Sequence, residues 1–289
     1  MIETFQQPLP GGVTLDCRAC GRVGAPKLML LHGFPEAAFV WDEVMERLAG
    51  QLRCVAPNLR GYAGSSSPLE VAAYRARHVV GDIVQLIESL GTPLDLLVAH
   101  DWGGALAWNL AASRPDLLRR LLIINSPHPA TLLRELQNNP AQQAASRYMN
   151  ELCEPGAEAA LAADDFARLW PFLGQGDWLT PALRERYREV WQRGLTGPLN
   201  YYRASPLRPA RSAEDPLSAL ALPDEVTRVA VPTRVLWGEL DHALLPGLLD
   251  GLAQWVPQLS VRRVPESSHW IVHERPDLVA QEIVAALPR

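Results

Sequence analysis

Apolar residues fall into two kinds of pattern along this chain. Four short runs are continuous rather than alternating: Leu28–Leu31, Leu96–Ala99, Leu121–Ile124 and Val235–Trp237. Unbroken apolar runs of this length are expected of strands covered on both faces, as in a parallel sheet. Helical periodicities lie between them. Val80, Ile83, Val84, Ile87 and Leu90 follow the stripe of an amphipathic helix, and Gly91 marks its end. Strands that alternate with helices predict an α/β fold with a mostly parallel, doubly wound sheet flanked by helices. The segments around Ile2–Gln7 and Val13–Cys20 read as an antiparallel edge.

The rhythm stops after Ile124. From about His128 to Pro223 no buried-strand run occurs. That stretch reads as helices, for example Pro181–Arg193, separated by Pro and Gly. Gly156–Asp165, rich in Ala and Glu, is simply helix-forming. The strand–helix rhythm resumes near Val229. A length of 289 residues alone suggests about two domains. The pattern nests one inside the other: residues 1–127 and 224–289 form an α/β core, and 128–223 a helical cap inserted into it. The chain contains no internal repeat.

Composition removes several classes. Apolar residues make up 48% and charged residues 20%, which is ordinary for a folded globular chain. No apolar run approaches the ~20 residues of a membrane span. Met1–Pro10 contains Glu3 and no apolar core segment, so no secretory leader is expected. A net charge of −5, with arginines scattered and a single lysine at Lys27, does not suit a nucleic-acid binder. Cys17-x-x-Cys20 lacks a second pair and lies in a strand-like alternation. With Cys54 and Cys153 it reads as reduced structural thiols of a cytoplasmic protein. The nine tryptophans would serve a large apolar cavity or an ordinary core equally well.

Ligands of open α/β sheets bind at the carboxyl ends of strands, so the residues just after each apolar run matter most. After Leu28–Leu31 comes His32-Gly33-Phe34-Pro35-Glu36, a stiff turn that can aim the Phe34 backbone N–H into a cleft. An ordinary Gly/Pro turn would look the same. After Leu96–Ala99 comes His100-Asp101-Trp102-Gly103-Gly104. This has the form of a nucleophile elbow, with Ala99 and Gly103 at the small positions and Asp101 at the nucleophile position. A dinucleotide-site acid would need a G-x-G-x-x-G nearby, and the chain has none; a helix N-cap is the structural alternative. After Val235–Trp237 comes Gly238-Glu239-Leu240-Asp241-His242. Asp241 is the candidate acid there and Glu239 a weaker one, because the other place for an acid, after Leu121–Ile124, holds Asn125. Near the end, Ser267-Ser268-His269-Trp270 precedes a final helix pattern. His269 thus completes the chain order nucleophile, acid, histidine. His100, His128, His242 and His273 read as structural or solvated.

An aspartate at the elbow changes the chemistry. A serine that attacked an alkyl carbon would form an ether that water and histidine cannot cleave. A carboxylate forms an ester, which histidine-activated water hydrolyses at the aspartate carbonyl carbon. Asp101 therefore predicts substitution at sp³ carbon, with an epoxide oxygen or a halide leaving. His269 would act as general base with Asp241 orienting it. The Phe34 and Trp102 backbone N–H groups would stabilise the oxyanion, one such donor being worth about 3–4 kcal/mol.

On these motifs, together with Asn58-Leu59-Arg60-Gly61-Tyr62 and Asn125-Ser126-Pro127-His128-Pro129, the chain after about residue 25 resembles the α/β-hydrolase superfamily and, within it, the soluble epoxide hydrolases. The resemblance implies that two cap tyrosines act as acids toward the epoxide oxygen. Tyr148-Met149-Asn150, ahead of Glu154-Pro155-Gly156, resembles the first tyrosine site. Leu199-Asn200-Tyr201-Tyr202-Arg203 resembles the second, with the donor at Tyr202. Adjacent residues of a helix face different ways, so Tyr201 reads as packing. The chain departs from the family at Ala99, where Gly is usual, at Asn58, often Asp, and at Ala63, commonly Gly. No metal or organic cofactor is implied. The expected partners are a small-molecule epoxide and water, with no nucleic acid, and a homodimer is left open.

Haloalkane dehalogenase is the nearest alternative, since it shares the aspartate nucleophile and Trp102 could donate its indole N–H to a halide. Phe34 stands where many dehalogenases place a polar residue such as Asn. Haloacetate dehalogenases carry arginines just after the nucleophile, where this chain has Trp102 and Ala105. A non-catalytic ligand receptor on the same scaffold is the alternative of another class. The intact set Asp101, Asp241 and His269 speaks against it.

Overall fold

The continuous apolar runs become the middle of one sheet in this computed structural model, which describes residues 1–174, 176–212 and 214–287. The strands are β1 (Glu3–Pro8), β2 (Thr14–Cys20), β3 (Lys27–Leu31), β4 (Arg53–Pro57), β5 (Leu96–His100), β6 (Leu121–Ile124), β7 (Thr233–Gly238) and β8 (Leu259–Val264). They form an eight-stranded sheet in the order β1-β2-β4-β3-β5-β6-β7-β8. β1 and β2 make an antiparallel edge, and β2 also pairs antiparallel with β4. The pairs from β4 through β8 are parallel; Leu28 lies opposite Leu96, Leu97 opposite Leu121, and Leu121 opposite Thr233.

The helices, in chain order, are α1 (Asp42–Leu48), α2 (Ala76–Leu90), α3 (Asp101–Ser113), α4 (Pro129–Asn138), α5 (Pro140–Ala145), α6 (Tyr148–Glu151), α7 (Ala157–Phe166), α8 (Trp170–Leu173), α9 (Pro181–Trp191), α10 (Thr196–Ala204), α11 (Ile271–Glu274) and α12 (Pro276–Ala286). Every residue of β5 and β6 is buried, because helices cover both faces of the sheet. Successive side chains of a strand point to opposite faces. Leu28 and Leu30 accordingly pack with Met45 and Ile283 of α1 and α12. Met29 and Leu31 pack with Ile83 and Leu110 of α2 and α3. β4 and β8 carry weaker sequence signals. β4 has only Cys54, Val55 and Ala56 between Arg53 and Pro57, and β8 is an edge strand whose Ser260–Arg263 stretch is exposed.

Between β6 and β7 the described residues form helices α4 to α10 and short 3₁₀ turns, with no strand. Hydrogen bonds tie this helical segment to the strand ends. The Tyr187 hydroxyl of α9 donates to Glu36 at 2.8 Å, and the Trp191 indole to the Pro35 carbonyl at 2.7 Å. The Tyr201 hydroxyl of α10 donates to the Arg60 carbonyl at 2.9 Å, while the Arg60 guanidinium pairs with buried Asp82 of α2 at 2.6 Å. Beside that contact α10 meets the loop backbone directly: a Cβ added to Gly197 would lie 2.5 Å from the Gly61 Cα. Among the described residues no helix is long and apolar enough to cross a membrane.

Candidate active site

β5 ends at His100 and α3 begins at once with Asp101, whose φ of 50° lies in the left-handed region. For a residue with a side chain this costs about 1–3 kcal/mol and persists only where the surroundings enforce it. The surroundings here are tight. A Cβ on Gly103 would lie 2.6 Å from the His32 carbonyl oxygen, and one on Gly104 2.3 Å from the Ser126 Cβ. The Ser126 hydroxyl donates to the Asp101 carbonyl at 2.7 Å. The sharp turn leaves the Asp101 side chain standing above the strand ends, where the Phe34 backbone N–H donates to its Oδ1 at 2.7 Å. The Trp102 N–H makes no hydrogen bond to that carboxylate among the described residues; its indole borders a cavity beside it.

The loop after β7 carries Asp241, which is buried. Its Oδ1 accepts the Ala243 and Leu244 backbone N–H groups, each at 2.9 Å. Its Oδ2 lies 2.6 Å from His269 Nδ1, the nitrogen that carries the proton, since a carboxylate only accepts. His269 Nε2 is 3.7 Å from Asp101 Oδ2. Burial alone would raise the Asp241 carboxyl. The charge and hydrogen bond of His269, the Leu244 N–H and the Asn125 amide outweigh it and hold the group below the usual carboxylate range. Burial likewise pulls His269 down, but the Asp241 charge and bond, with the Asp101 charge behind them, lift it to about 9. His128 offers the contrast: buried against the Thr227 carbonyl, it is pushed down to about 4.

Asn125 closes β6 with a φ of 37° and is fully buried. Its Nδ2 donates to Asp241 Oδ2 at 2.9 Å and to the Gly238 carbonyl at 3.1 Å, and its Oδ1 accepts the Gly238 N–H at 2.8 Å. The amide thus pins β6 to β7 and the Asp241 carboxylate to both. In the sequence Asn125 registers as a missing acid and as part of a family motif, with no role of its own. The available signal was a polar residue ending an otherwise apolar strand.

Tyr148 opens α6 and Tyr202 lies in α10, their ring centroids 6.1 Å apart. Tyr202 meets Phe34 edge-on at 5.3 Å and Trp102 at 5.0 Å. Both tyrosines border the same space as Asp101. Burial, then the Asp101 charge, raises the Tyr148 phenol; burial, then Tyr148 and Asp101, raises that of Tyr202. Both phenols are therefore neutral. Tyr201 points its hydroxyl away, to the Arg60 carbonyl. The five side chains Asp101, Asp241, His269, Tyr148 and Tyr202 and the Phe34 amide are thus brought together around one space.

A second polar cluster lies behind the histidine. Glu36 is fully buried and accepts from Tyr187 and from His273 Nε2, both at 2.8 Å, and faces His100 Nδ1 at 3.2 Å. His100 Nε2 lies 2.9 Å from the His269 carbonyl oxygen. Burial would raise Glu36, yet the His100 and His273 bonds hold it well below the carboxylate range. Sequence reasoning took Phe34 from the His32–Glu36 turn and left Glu36, His100 and His273 aside. Their partners come from segments far apart in the chain.

Comparison with known proteins gives the family. Residues 26–276 match the family model described as alpha/beta hydrolase fold. An AB hydrolase superfamily protein of Bacillus subtilis, YfhM, is 36% identical over 285 residues, spanning 96% of this chain and 95% of that protein. Epoxide hydrolase 4 of Mus musculus is 31% identical over 280 residues, spanning 93% of this chain and 74% of that protein. A solved structure described among novel epoxide hydrolases from metagenomes of hot environments superposes with a TM-score of 0.89 at 35% identity, covering 99% of this chain and 98% of its own.

Proposed function

From the premise that this chain belongs to the alpha/beta hydrolase fold family, we propose that it is an epoxide hydrolase that opens epoxides to vicinal diols through an ester on Asp101. It is thus a hydrolase acting on ether bonds. Residues 1–127 and 224–289 serve as its core and 128–223 as its cap. Cys17, Cys20 and Cys54 are buried and unpaired, which suits a cytoplasmic enzyme. The observation that carries the reading is a carboxylate with a histidine base on one side and two neutral tyrosines bordering the same space.

In the first step an Asp101 carboxylate oxygen attacks a ring carbon. The carbon–oxygen bond breaks, its electron pair passes to the ring oxygen, and that oxygen takes a proton from Tyr148 or Tyr202. An alkoxide is a poor leaving group, so donation in the transition state lowers the barrier. In the second step His269 removes a proton from water, which adds to the Asp101 carbonyl carbon. The oxyanion develops against the Phe34 N–H and the neighbouring Trp102 N–H. The tetrahedral species then collapses, its departing alkoxide takes the proton from His269, and the Asp101 carboxyl proton passes to the tyrosinate, releasing the diol and restoring the carboxylate and the phenol. One electrostatic detail favours this order. Esterification removes the Asp101 charge, which is one cause of the raised His269 pKa. The base is thereby eased toward its neutral, working form once the intermediate exists.

The test is to mix the His269→Ala variant with styrene oxide and weigh the intact protein. The expected result is an adduct of the substrate's mass on the peptide that contains Asp101. Halide release from 1-bromobutane by the wild type, with no diol from epoxides, would instead establish the dehalogenase reading.

A further inference from the structure

Resting on the epoxide hydrolase reading, we infer that Gln142 is a positioning residue that ties the helical turn carrying Tyr148 to the loop carrying Asp241. The acid of the first step and the base of the second are then set from one stretch of backbone. Gln142 lies in α5, six residues before Tyr148, and is fully buried. Its Nε2 donates to the Ala243 carbonyl at 2.7 Å and to the Ser146 hydroxyl at 2.8 Å, and its Oε1 accepts the Leu245 N–H at 3.0 Å. Both amide hydrogens are used, as burial demands. A carbonyl only accepts and a backbone N–H only donates, so the amide has a single orientation. The adjacent Gln143 differs: its Nε2 donates to the Leu136 carbonyl of neighbouring α4 at 2.9 Å.

The loop that Gln142 grips is the one that holds the acid. Ala243 and Leu244 turn their N–H groups to Asp241 Oδ1, each at 2.9 Å, while the Ala243 carbonyl and the Leu245 N–H go to Gln142. Residues 243–245 are therefore shared between Asp241 and α5. The loop is the fixed member of this pair. The Leu240 N–H donates to the Ser267 carbonyl at 2.9 Å, and the Asn125 amide holds Asp241 Oδ2 at 2.9 Å. Neither bond involves the helices between β6 and β7.

From Gln142 the tie runs to Tyr148 through the backbone. The Ser146 N–H donates to the Gln142 carbonyl at 2.9 Å, and the Met149 N–H to the Ser146 carbonyl at 3.0 Å, so the amide and the turn bearing the phenol move together. Tyr202 has a different seat, since α10 rests on the Gly61 backbone and Tyr201 bonds the Arg60 carbonyl. Gln142 therefore sets one tyrosine and not the other. Proton donation counts most in the transition state, where charge grows on the ring oxygen. A shifted Tyr148 accordingly lowers the rate of ester formation more than it weakens substrate binding. Ester hydrolysis uses His269 and Asp241, which keep their bonds within the core, and is spared.

The experiment follows formation and decay of the alkyl-enzyme by rapid quench with styrene oxide. It compares the wild type, Gln142→Met, and Gln142→Met combined with Tyr148→Phe or with Tyr202→Phe. Methionine fills the space of glutamine and makes none of the three bonds. Ester formation at saturating epoxide should slow by about 10- to 100-fold in the otherwise wild-type chain and again in the Tyr202→Phe background. In the Tyr148→Phe background, where the aligned hydroxyl is gone, the same replacement should cost less than about threefold. The half-saturating epoxide concentration and the hydrolysis rate should each stay within about threefold of their starting values. Ser146→Ala, which frees one amide hydrogen, should repeat the pattern at about fivefold, and it decides the matter if Gln142→Met does not fold. Equal loss in both tyrosine backgrounds, equal slowing of hydrolysis, or unchanged ester formation overturns the positioning role and leaves the epoxide hydrolase reading intact. A wild type that forms neither alkyl-enzyme nor diol from styrene oxide or 1,2-epoxyhexane overturns that reading and this inference with it.

Discussion

Asp101, Asp241 and the Phe34 amide stand at strand ends, and His269 on the loop after β8, whereas Tyr148 and Tyr202 hang from the helices between β6 and β7. The first group is held by directional bonds. Asp241 alone accepts four hydrogen bonds, from Ala243, Leu244, Asn125 and His269, and Asp101 occupies a strained backbone enforced by tight glycine contacts. The second group is held mainly by aromatic packing, Tyr202 against Phe34 and Trp102, and Tyr148 against Phe172 at 5.6 Å. The contrast fits the division of labour in the proposed mechanism. In that mechanism proton relay and ester hydrolysis need fixed angles at the strand ends, while the ring oxygen is met from the helical side by phenols held through packing.

The largest effect that tests this contrast is on the helical side. Tyr148→Phe with Tyr202→Phe should slow ester formation by about 10²–10⁴-fold, with single replacements costing less. Hydrolysis of an ester formed over long incubation should keep its rate. Rapid-quench measurement of alkyl-enzyme separates the two steps, and unchanged ester formation would reduce the tyrosines to lining.

On the strand side Asn125→Ala should do the reverse. It removes one hydrogen bond from a charged acceptor, worth about 1.5–3 kcal/mol, so hydrolysis of the ester should slow by roughly 10- to 100-fold while its formation is spared. Equal slowing of both steps would mean that Asn125 supports the fold rather than the Asp241 orientation.

The smallest effect sharpens the electrostatics. His269 is raised to about 9, partly by the Asp101 charge. A general base works deprotonated, so the hydrolysis step should speed up as pH rises through the His269 pKa of the ester. Because the ester has lost the Asp101 charge, the midpoint should fall below about 9. Single-turnover decay of the intermediate across pH 5–10 reads it directly, and a rate that declines with rising pH would contradict the assignment.

How much of this was legible in the chain depends on how local each feature is. β5 and β6 announce themselves because both faces are covered, so no polar residue interrupts Leu96–Ala99 or Leu121–Ile124. The elbow is legible because a sharp turn demands small neighbours within two residues of Asp101. β8 is not, because an exposed edge strand bearing Arg262 and Arg263 has no apolar signature. The role of Asn125 was not legible, since its partners Gly238 and Asp241 become neighbours only when β6 and β7 pair. Glu36 is further out of reach, as Tyr187, His273 and His100 converge on it from three separate parts of the chain. Tyr148 and Tyr202 came through family resemblance alone. Nothing in the local sequence separates Tyr202 from Tyr201; the separation lies in the hydrogen bond that Tyr201 makes to Arg60.

The meeting of Gly61 with Gly197 bears on distance itself. α10 carries Tyr202, and it rests on the Arg60–Tyr62 loop with no side chain between the two backbones. This is a spacer of zero thickness. The gap between the phenol and the aspartate is therefore gauged by what is missing, and a single methyl at either position would lift the helix off its seat. Misplacement of a reacting group by about 1 Å can cost on the order of 100-fold in rate. A position that touches no substrate thus calibrates the chemistry as tightly as one that does.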